Sequence, residues 1–380
     1  MAKPPFGVLL VSGAFTHQEN YAPGFAADAR CRIIGVADES GVDARRASLN
    51  RRLADQFKVP VLDLDEALRR PDVHLISICS EHERQGRIAV RCARAGKHLY
   101  MDKPAAGSVA DADRIVDAVR VSGVRSQMFT HISQSYAQRA KQALGRVGEL
   151  HAIHCDLLFA KGWPGTAPLG QPRKETAVPR QFLFPDAKRE MYNIAVYPLA
   201  MIRWLTRAEV LSVRAVTANY FFAEHHKRDF EDFAMLALVL EGGITATVTA
   251  GRIGWMSHFG SGPCLTRAYG TRGSVLIDAH RPRADVASDL AGWIRPPRDP
   301  EDPMGFWRST QLRGGVTPRP EWYVPETVPA RSDQSLFVDC VEQDREAEVT
   351  AFDGAKIVEV LFAAYQSAAT GEVVSLPLPR

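Results

Sequence analysis

The sequence predicts an α/β protein: an N-terminal Rossmann-type, doubly wound parallel sheet followed by an α+β domain with an open, mostly antiparallel sheet. Three observations predict it. Over the first third of the chain, short apolar runs alternate with segments of helical spacing. After about Ile132 the apolar runs follow one another through short turns instead. The length, 380 residues, suits about two domains.

In the first part, Gly7–Ser12, Cys31–Ala37, His74–Cys79, Lys97–Met101 and Arg125–Thr130 read as buried strands. Asp43–Phe57, Gln85–Ala95 and Val109–Ser122 read as helices, the last stopped by Gly123. Strands separated by helices require crossovers, and crossovers make a parallel sheet covered on both faces. In the second part, Tyr136–Leu144 and Met191–Leu205 are helical and Glu149–Leu158 is a strand. Val210–Phe221, Phe230–Glu241, Ile244–Ala250, Leu265–Tyr269 and Val275–Asp278 follow as strands, and Glu241-Gly242-Gly243 marks a hairpin. Ser335–Glu346 and Phe352–Thr370 close the chain as helices. The expected division is 1–131 for a cofactor-binding domain and 132–380 for a substrate-binding and oligomerisation domain, with the last helix, about 352–370, packing back on the first. Two Pro-rich stretches, Ala160–Arg189 and Arg281–Ser332, carry little periodicity.

Composition removes several function classes. The net charge is +3, too mild to argue for nucleic acid or an anionic membrane as partner. No apolar run approaches the ~18–20 residues that span a bilayer. The six cysteines form no C-x-x-C pair, so neither a zinc ribbon nor a thioredoxin motif is expected. They read as reduced thiols in a cytoplasmic protein without a metal. His225-His226 reads as adjacent strand residues facing opposite ways, hence no metal pair.

Open parallel sheets bind ligands beyond the carboxyl ends of their strands. A dinucleotide site wants a strand, a glycine turn and a helix N-terminus there. The first turn holds Ser12, Gly13, Ala14, Thr16 and His17, with only one glycine of the usual three. Asp38 ends the second strand 25 residues after Gly13, at a spacing that suits a carboxylate accepting from ribose hydroxyls. With Glu39 beside it, it disfavours a ribose phosphate, so NAD is expected over NADP. Further on, the strand in Ala95-Gly96-Lys97-His98-Leu99-Tyr100-Met101-Asp102-Lys103-Pro104 ends on an acid, a lysine and a proline, which holds Lys103 at the carboxyl edge over the cleft.

These segments together resemble the Gfo/Idh/MocA family (glucose-fructose oxidoreductase, inositol dehydrogenase, rhizopine catabolism). AGKHLYMDKP is similar to that family's A-G-K-H-V-x-x-E-K-P, with Asp102 in place of Glu. HLISICSEHERQGRIAVRCARAGKH resembles the preceding strand, loop and helix, EMYNIAVYPLAMIRWL its D-x-G-x-H helix, and AYGTRGSVLID and AFDGAKIVEVLFAAYQSAATGEVVSLP its late strand and last helix. The resemblance implies a nicotinamide cofactor and a sugar or polyol substrate. It implies that Lys103 is catalytic, that Tyr197 stands where most members have histidine, and that Asn193 stands on the usual aspartate. Ala195 replaces a glycine, and Ser80–Gln85 lacks the usual proline and histidine. Cys79, Ser80, Glu81, His82, Asp102 and Pro104 join the implied cofactor contacts. His131 falls on a usual substrate contact, and Trp163 and Arg180 are candidate substrate groups in the first Pro-rich stretch.

The implied activity is hydride transfer between NAD and a hydroxyl or carbonyl of a sugar, polyol or derivative. Asn193 and Tyr197, four apart, share a helix face. Lys103 would polarise the reacting oxygen and lower the phenol of Tyr197 from its ordinary value near ~10. Two alternatives stand beside this reading: a glycosidase or lyase holding NAD tightly for transient oxidation, and a non-catalytic binding or regulatory relative. The open second sheet is expected to bury its free face in a homodimer or homotetramer.

Overall fold

Two sheets organise the chain. A computed structural model describes residues 5–162, 175, 189–254, 262–281, 284–288, 300, 302–303, 320–323 and 331–380. The first sheet has six strands: β1 (Phe6–Val11), β2 (Cys31–Asp38), β3 (Val61–Asp63), β4 (Leu75–Ile78), β5 (His98–Met101) and β6 (Ser126–Met128). They lie in the order β3-β2-β1-β4-β5-β6, and every pairing is parallel. The order reverses between β1 and β4, and that is where the carboxyl ends open a crevice. Val8–Val11 are wholly buried, as a central strand covered on both faces must be.

The helices begin and end where the chain supplies caps. Asp43 accepts from the Arg46 N–H to start the helix Ala44–Phe57, and Ser108 accepts from Asp111 to start Val109–Ser122. Gly123 ends the latter at φ 70°, a left-handed conformation that suits glycine. The helix Gln18–Ala27 is tied to β4 by the buried amide of Gln18, which donates to Ser77 O and accepts from the Ser77 hydroxyl.

Among the described residues the second sheet has nine strands: β7 (Leu150–Phe159), β8 (Val210–Ala218), β9 (Phe233–Leu240), β10 (Thr245–Arg252), β11 (Cys264–Gly270), β12 (Gly273–Asp278), β13 (Ala284–Ser288), β14 (Pro320–Tyr323) and β15 (Val374–Ser375). Their order is β14-β13-β12-β11-β7-β10-β9-β8-β15. All pairs are antiparallel except β10 with β7. Glu241–Gly243 does join β9 to β10 as a hairpin. One face carries the helix Val196–Thr206 and the last helix, Ala351–Thr370.

Three expectations change. The single helix Met191–Leu205 is two, Glu190–Ile194 and Val196–Thr206. Pro198 has no N–H to return to Ile194, so it belongs in a first turn and the first helix stops before it. His225 and His226 lie on a short helix, Ala223–Lys227, not on a strand. The short strands β3, β13, β14 and β15 have no period of their own and were missed by pattern. The helix Asp333–Glu342 lies, by chain position, with the second part. Its Phe337, Val338 and Cys340 nevertheless share a core with Val8, Leu10 and Tyr100 of the first sheet.

Candidate active site at the carboxyl edge of the parallel sheet

β5 ends at Met101, and the turn after it is held from several sides. The Gln85 amide, fully buried on the helix His82–Arg94, donates to the carbonyls of Asp102 (2.7 Å), Pro104 (2.9 Å) and Ala105 (3.2 Å). His82 Nε2 lies 3.4 Å from the Lys103 carbonyl. Asp102 Oδ1 accepts from the Tyr21 hydroxyl (2.8 Å) and the Lys103 N–H (2.8 Å), and lies 2.9 Å from His17 Nδ1. Burial opposes ionisation of Asp102, but His17, Lys103 and the Tyr21 hydroxyl hold its carboxyl well below the usual carboxylate range.

That turn aims Lys103 into the second domain. Its ammonium is 2% exposed and donates to both the carbonyl and Oδ1 of Asn193, each at 2.7 Å. It also stands 4.8 Å from the centre of the Tyr197 ring. The break at Ala195 therefore leaves Asn193 and Tyr197 around one ammonium. His131 stacks on Tyr197 with ring centres 3.9 Å apart and planes at 22°, while Phe129 and Phe159 meet Tyr197 edge-on. His131 Nδ1 lies 3.0 Å from the Tyr136 hydroxyl. Burial first, then the charges of Lys103, Lys161 and His17, push the His131 imidazole down to about 3, so it is neutral at physiological pH.

One expectation fails here. The Tyr197 phenol is raised, not lowered: burial and the Asp102 carboxylate outweigh the Arg252 guanidinium. Lys103 meets the face of the ring, where it favours the π-system. Tyr197 is a neutral phenol with a proton to give.

The first turn is bound closely to its own chain. Ser12 and Phe15 take left-handed conformations (φ 67° and 58°). Ala14 spends its N–H on Leu49 O (3.1 Å). A Cβ on Gly13 would come within 2.5 Å of that same carbonyl, so Gly13 serves close packing on the helix Ala44–Phe57. The Thr16 hydroxyl donates to Gly13 O. The Ala14 N–H and the Thr16 hydroxyl are thus bound within the chain. Cys79 points inward and donates its thiol to Gln18 Oε1, with burial raising its pKa.

At the other end of the crevice sits a cluster that sequence reasoning missed. Asp38 Oδ1 accepts from Arg84 (2.7 Å) and the Glu39 N–H (2.9 Å), and Oδ2 accepts from Asn50 (2.9 Å) and the Ser12 hydroxyl (3.4 Å). Burial raises the Asp38 pKa, yet Arg84 and Asn50 bring it below the ordinary value. Arg84 also pairs with Glu81, which pairs in turn with Arg46, and Arg46 donates to Ala14 O. The arginines stood in plain sight in the sequence. Only the fold brings residues 38, 46, 50 and 84 together.

A dinucleotide fits parts of this edge. The Ser80 and Thr130 hydroxyls, just beyond β4 and β6, are buried without a hydrogen-bond partner among the described residues, which suits the carboxamide or ribose of a nicotinamide nucleotide. Glu81, as the N-cap of the helix His82–Arg94, and Pro104, in the turn after β5, line the same edge. Trp163 and Arg180 lie outside the described residues. Among the described residues no cluster of ligands could hold a metal ion. No helix there is long and apolar enough to cross a membrane.

Comparison with known proteins agrees with this architecture. Residues 7–130 match the profile described as "Oxidoreductase family, NAD-binding Rossmann fold", and residues 137–276 match a Gfo/Idh/MocA C-terminal domain. Among curated relatives, myo-inositol 2-dehydrogenase of Thermotoga maritima is 22% identical over 60% of this chain and 64% of its own length. The oxidoreductase YrbE of Bacillus subtilis is 21% identical over 87% of each chain. Among solved structures, an aldose-aldose oxidoreductase from Caulobacter crescentus, complexed with glycerol, superposes with a TM-score of 0.69. It is 21% identical, and the match covers 98% of this chain and 100% of that one. A levoglucosan dehydrogenase complexed with NADH and levoglucosan superposes at 0.71 with 18% identity, over 98% of this chain and 100% of that one.

Proposed function

The chain belongs to the Gfo/Idh/MocA family of NAD-binding oxidoreductases, and on that premise we propose that it transfers a hydride between NAD and a carbinol or carbonyl of a sugar, polyol or derivative. The observation that carries the reading is the Lys103 ammonium, 2.7 Å from Asn193 Oδ1 and 4.8 Å from the Tyr197 ring, at the carboxyl end of β5. Relatives of this chain are named for inositol and levoglucosan, which supports the substrate class.

Bound nicotinamide supplies the hydride donor or acceptor. Ser80, Thr130 and the turn Asp102–Pro104 would hold it, and Asp38 would accept from the adenosine ribose once Arg84 or Ser12 yields. Lys103 stabilises negative charge on the reacting oxygen. In reduction Tyr197 gives its phenol proton to the carbonyl oxygen and regains one from solvent, and oxidation runs the same steps backwards, starting from the phenolate. Asn193 orients Lys103, and neutral His131 packs the Tyr197 ring in place. Two carboxylates, Asp38 and Glu39, support NAD over NADP.

The same proposal includes the functional division at residue 131, a cytoplasmic location, supported by six unpaired cysteines, and a homo-oligomer. On the outer face of the second sheet Leu211, Val216, Met235 and Val239 are exposed, and Val216 pairs directly with Met235. An apolar face of this kind on neighbouring strands fits a second copy of the chain. The experiment for the activity is a panel of sugars and polyols with NAD, followed by nicotinamide absorbance. Net NADH with a polyol supports the reading. NAD that co-purifies without net reduction supports transient oxidation instead.

A further inference from the structure

Glu190 is 2% exposed and lies in the first turn of the helix Glu190–Ile194. Its Oε1 accepts from Arg252 Nε at 2.9 Å and stands 3.4 Å from His225 Nε2. Its Oε2 faces Asn193 Nδ2 at 3.4 Å, while Asn193 Oδ1 accepts from Lys103 at 2.7 Å. These neighbours fix the amide. Turned over, its NH2 would meet an ammonium and its oxygen a carboxylate. An acid at 193 would bring its charge directly to Lys103. Here the charge sits three residues earlier and the neutral amide stands between.

We propose that Glu190 is the positioning residue for Lys103, acting through Asn193: the carboxylate orients the amide, and the oriented amide and the charge behind it keep the amine protonated and pointed at the reacting oxygen. This deepens the proposed function, since its consequence rests on Lys103 acting at that oxygen. The charge state of the amine can be read without cofactor or substrate. The groups facing Lys103 are Asp102 and His82 from the first domain and His131, Asn193 and Tyr197 around the cleft. Those facing Glu190 are Arg252, His225 and Asn193. The competing role for Glu190 is only to neutralise Arg252 and His225.

The test is an NMR titration of the Lys103 side chain in full-length protein labelled at lysine Cε, with the signal assigned by its loss in Lys103→Ala. The midpoint of the unaltered protein is the reference. Glu190→Gln lowers the amine's midpoint by about one pH unit or more. Adding Asn193→Asp to Glu190→Gln restores it, because the charge returns one turn along. Glu190→Asp keeps the charge but withdraws it by a methylene, and gives an intermediate midpoint even if the Gln variant does not fold. An unchanged midpoint in Glu190→Gln or Glu190→Asp, or no recovery in the double variant, overturns the proposal. Because nothing in this readout requires NAD or substrate, it fails separately from the redox reading.

Discussion

The two ends of the crevice satisfy their charges in opposite ways. At the Lys103 end, neutral amides hold the turn and the ammonium, Gln85 on the turn and Asn193 on Lys103 beside the Tyr197 ring, while His17 lies against Asp102. At the Asp38 end, Asp38, Arg84, Glu81 and Arg46 satisfy one another. A site held by neutral groups is ready for a ligand. A site filled by its own ion pairs must exchange partners before a ligand enters, and the exchange subtracts from affinity. On the proposed function, the difference teaches that the Lys103 end is prepared for a ligand while the Asp38 end is occupied by its own ion pairs.

The largest effect should come from the Lys103 end. Lys103→Ala should reduce kcat/KM by about 10²–10³ or more, as loss of an oxyanion donor does. Tyr197→Phe should cost about 10²–10⁴ through the missing proton. Both are read by steady-state nicotinamide absorbance. If both variants turn over normally, the prepared end has been misidentified. Next comes Gln85→Leu, which strips an amide from three buried carbonyls. It should lower stability by roughly 1–3 kcal/mol, read as a lower urea midpoint. An unchanged midpoint would mean that the turn after β5 holds itself.

At the Asp38 end, Arg84→Ala releases Asp38 for ribose hydroxyls. NAD binding, measured by calorimetry, should tighten by about tenfold, equal to ~1.4 kcal/mol, while NADP does not tighten. Weaker NAD binding would show that Arg84 serves the cofactor rather than competing with it. His131 gives a pH-dependent effect on stability. Its folded pKa of about 3 lies below the ordinary His value of 6.5. The unfolded chain therefore binds the extra proton, and stability present above pH 6.5 is lost as pH falls toward 3. Urea midpoints measured across that range should fall less steeply in His131→Phe. Equal slopes would remove His131 from the buried set.

These contrasts follow what a sequence can carry. The strand and helix succession and the Asp102-Lys103-Pro104 turn were legible because each is local: period, cap and breaker lie within a few residues. Val109–Ser122 with its Gly123 stop is placed to the residue. The Asp38–Arg84 pair was not legible, because residues 46 apart meet only through sheet order. Nor was the direction of the Tyr197 shift. Proximity to Lys103 was foreseeable, but that the ammonium faces the ring and that burial dominates depends on packing. The close approach of Gly13 to the Leu49 carbonyl was not legible either, because it too depends on packing.

The central claim is a prepared hydride-transfer site around Lys103 and Tyr197. Its most direct measurement is transfer of deuterium from deuterated NADH to carbonyl sugars, read by mass spectrometry of the product, with Lys103→Ala as control. The account predicts deuterium on the new carbinol carbon with the unaltered protein and a large loss with the variant. NADH binding without deuterium transfer to any carbonyl sugar, or equal transfer by both proteins, would contradict it.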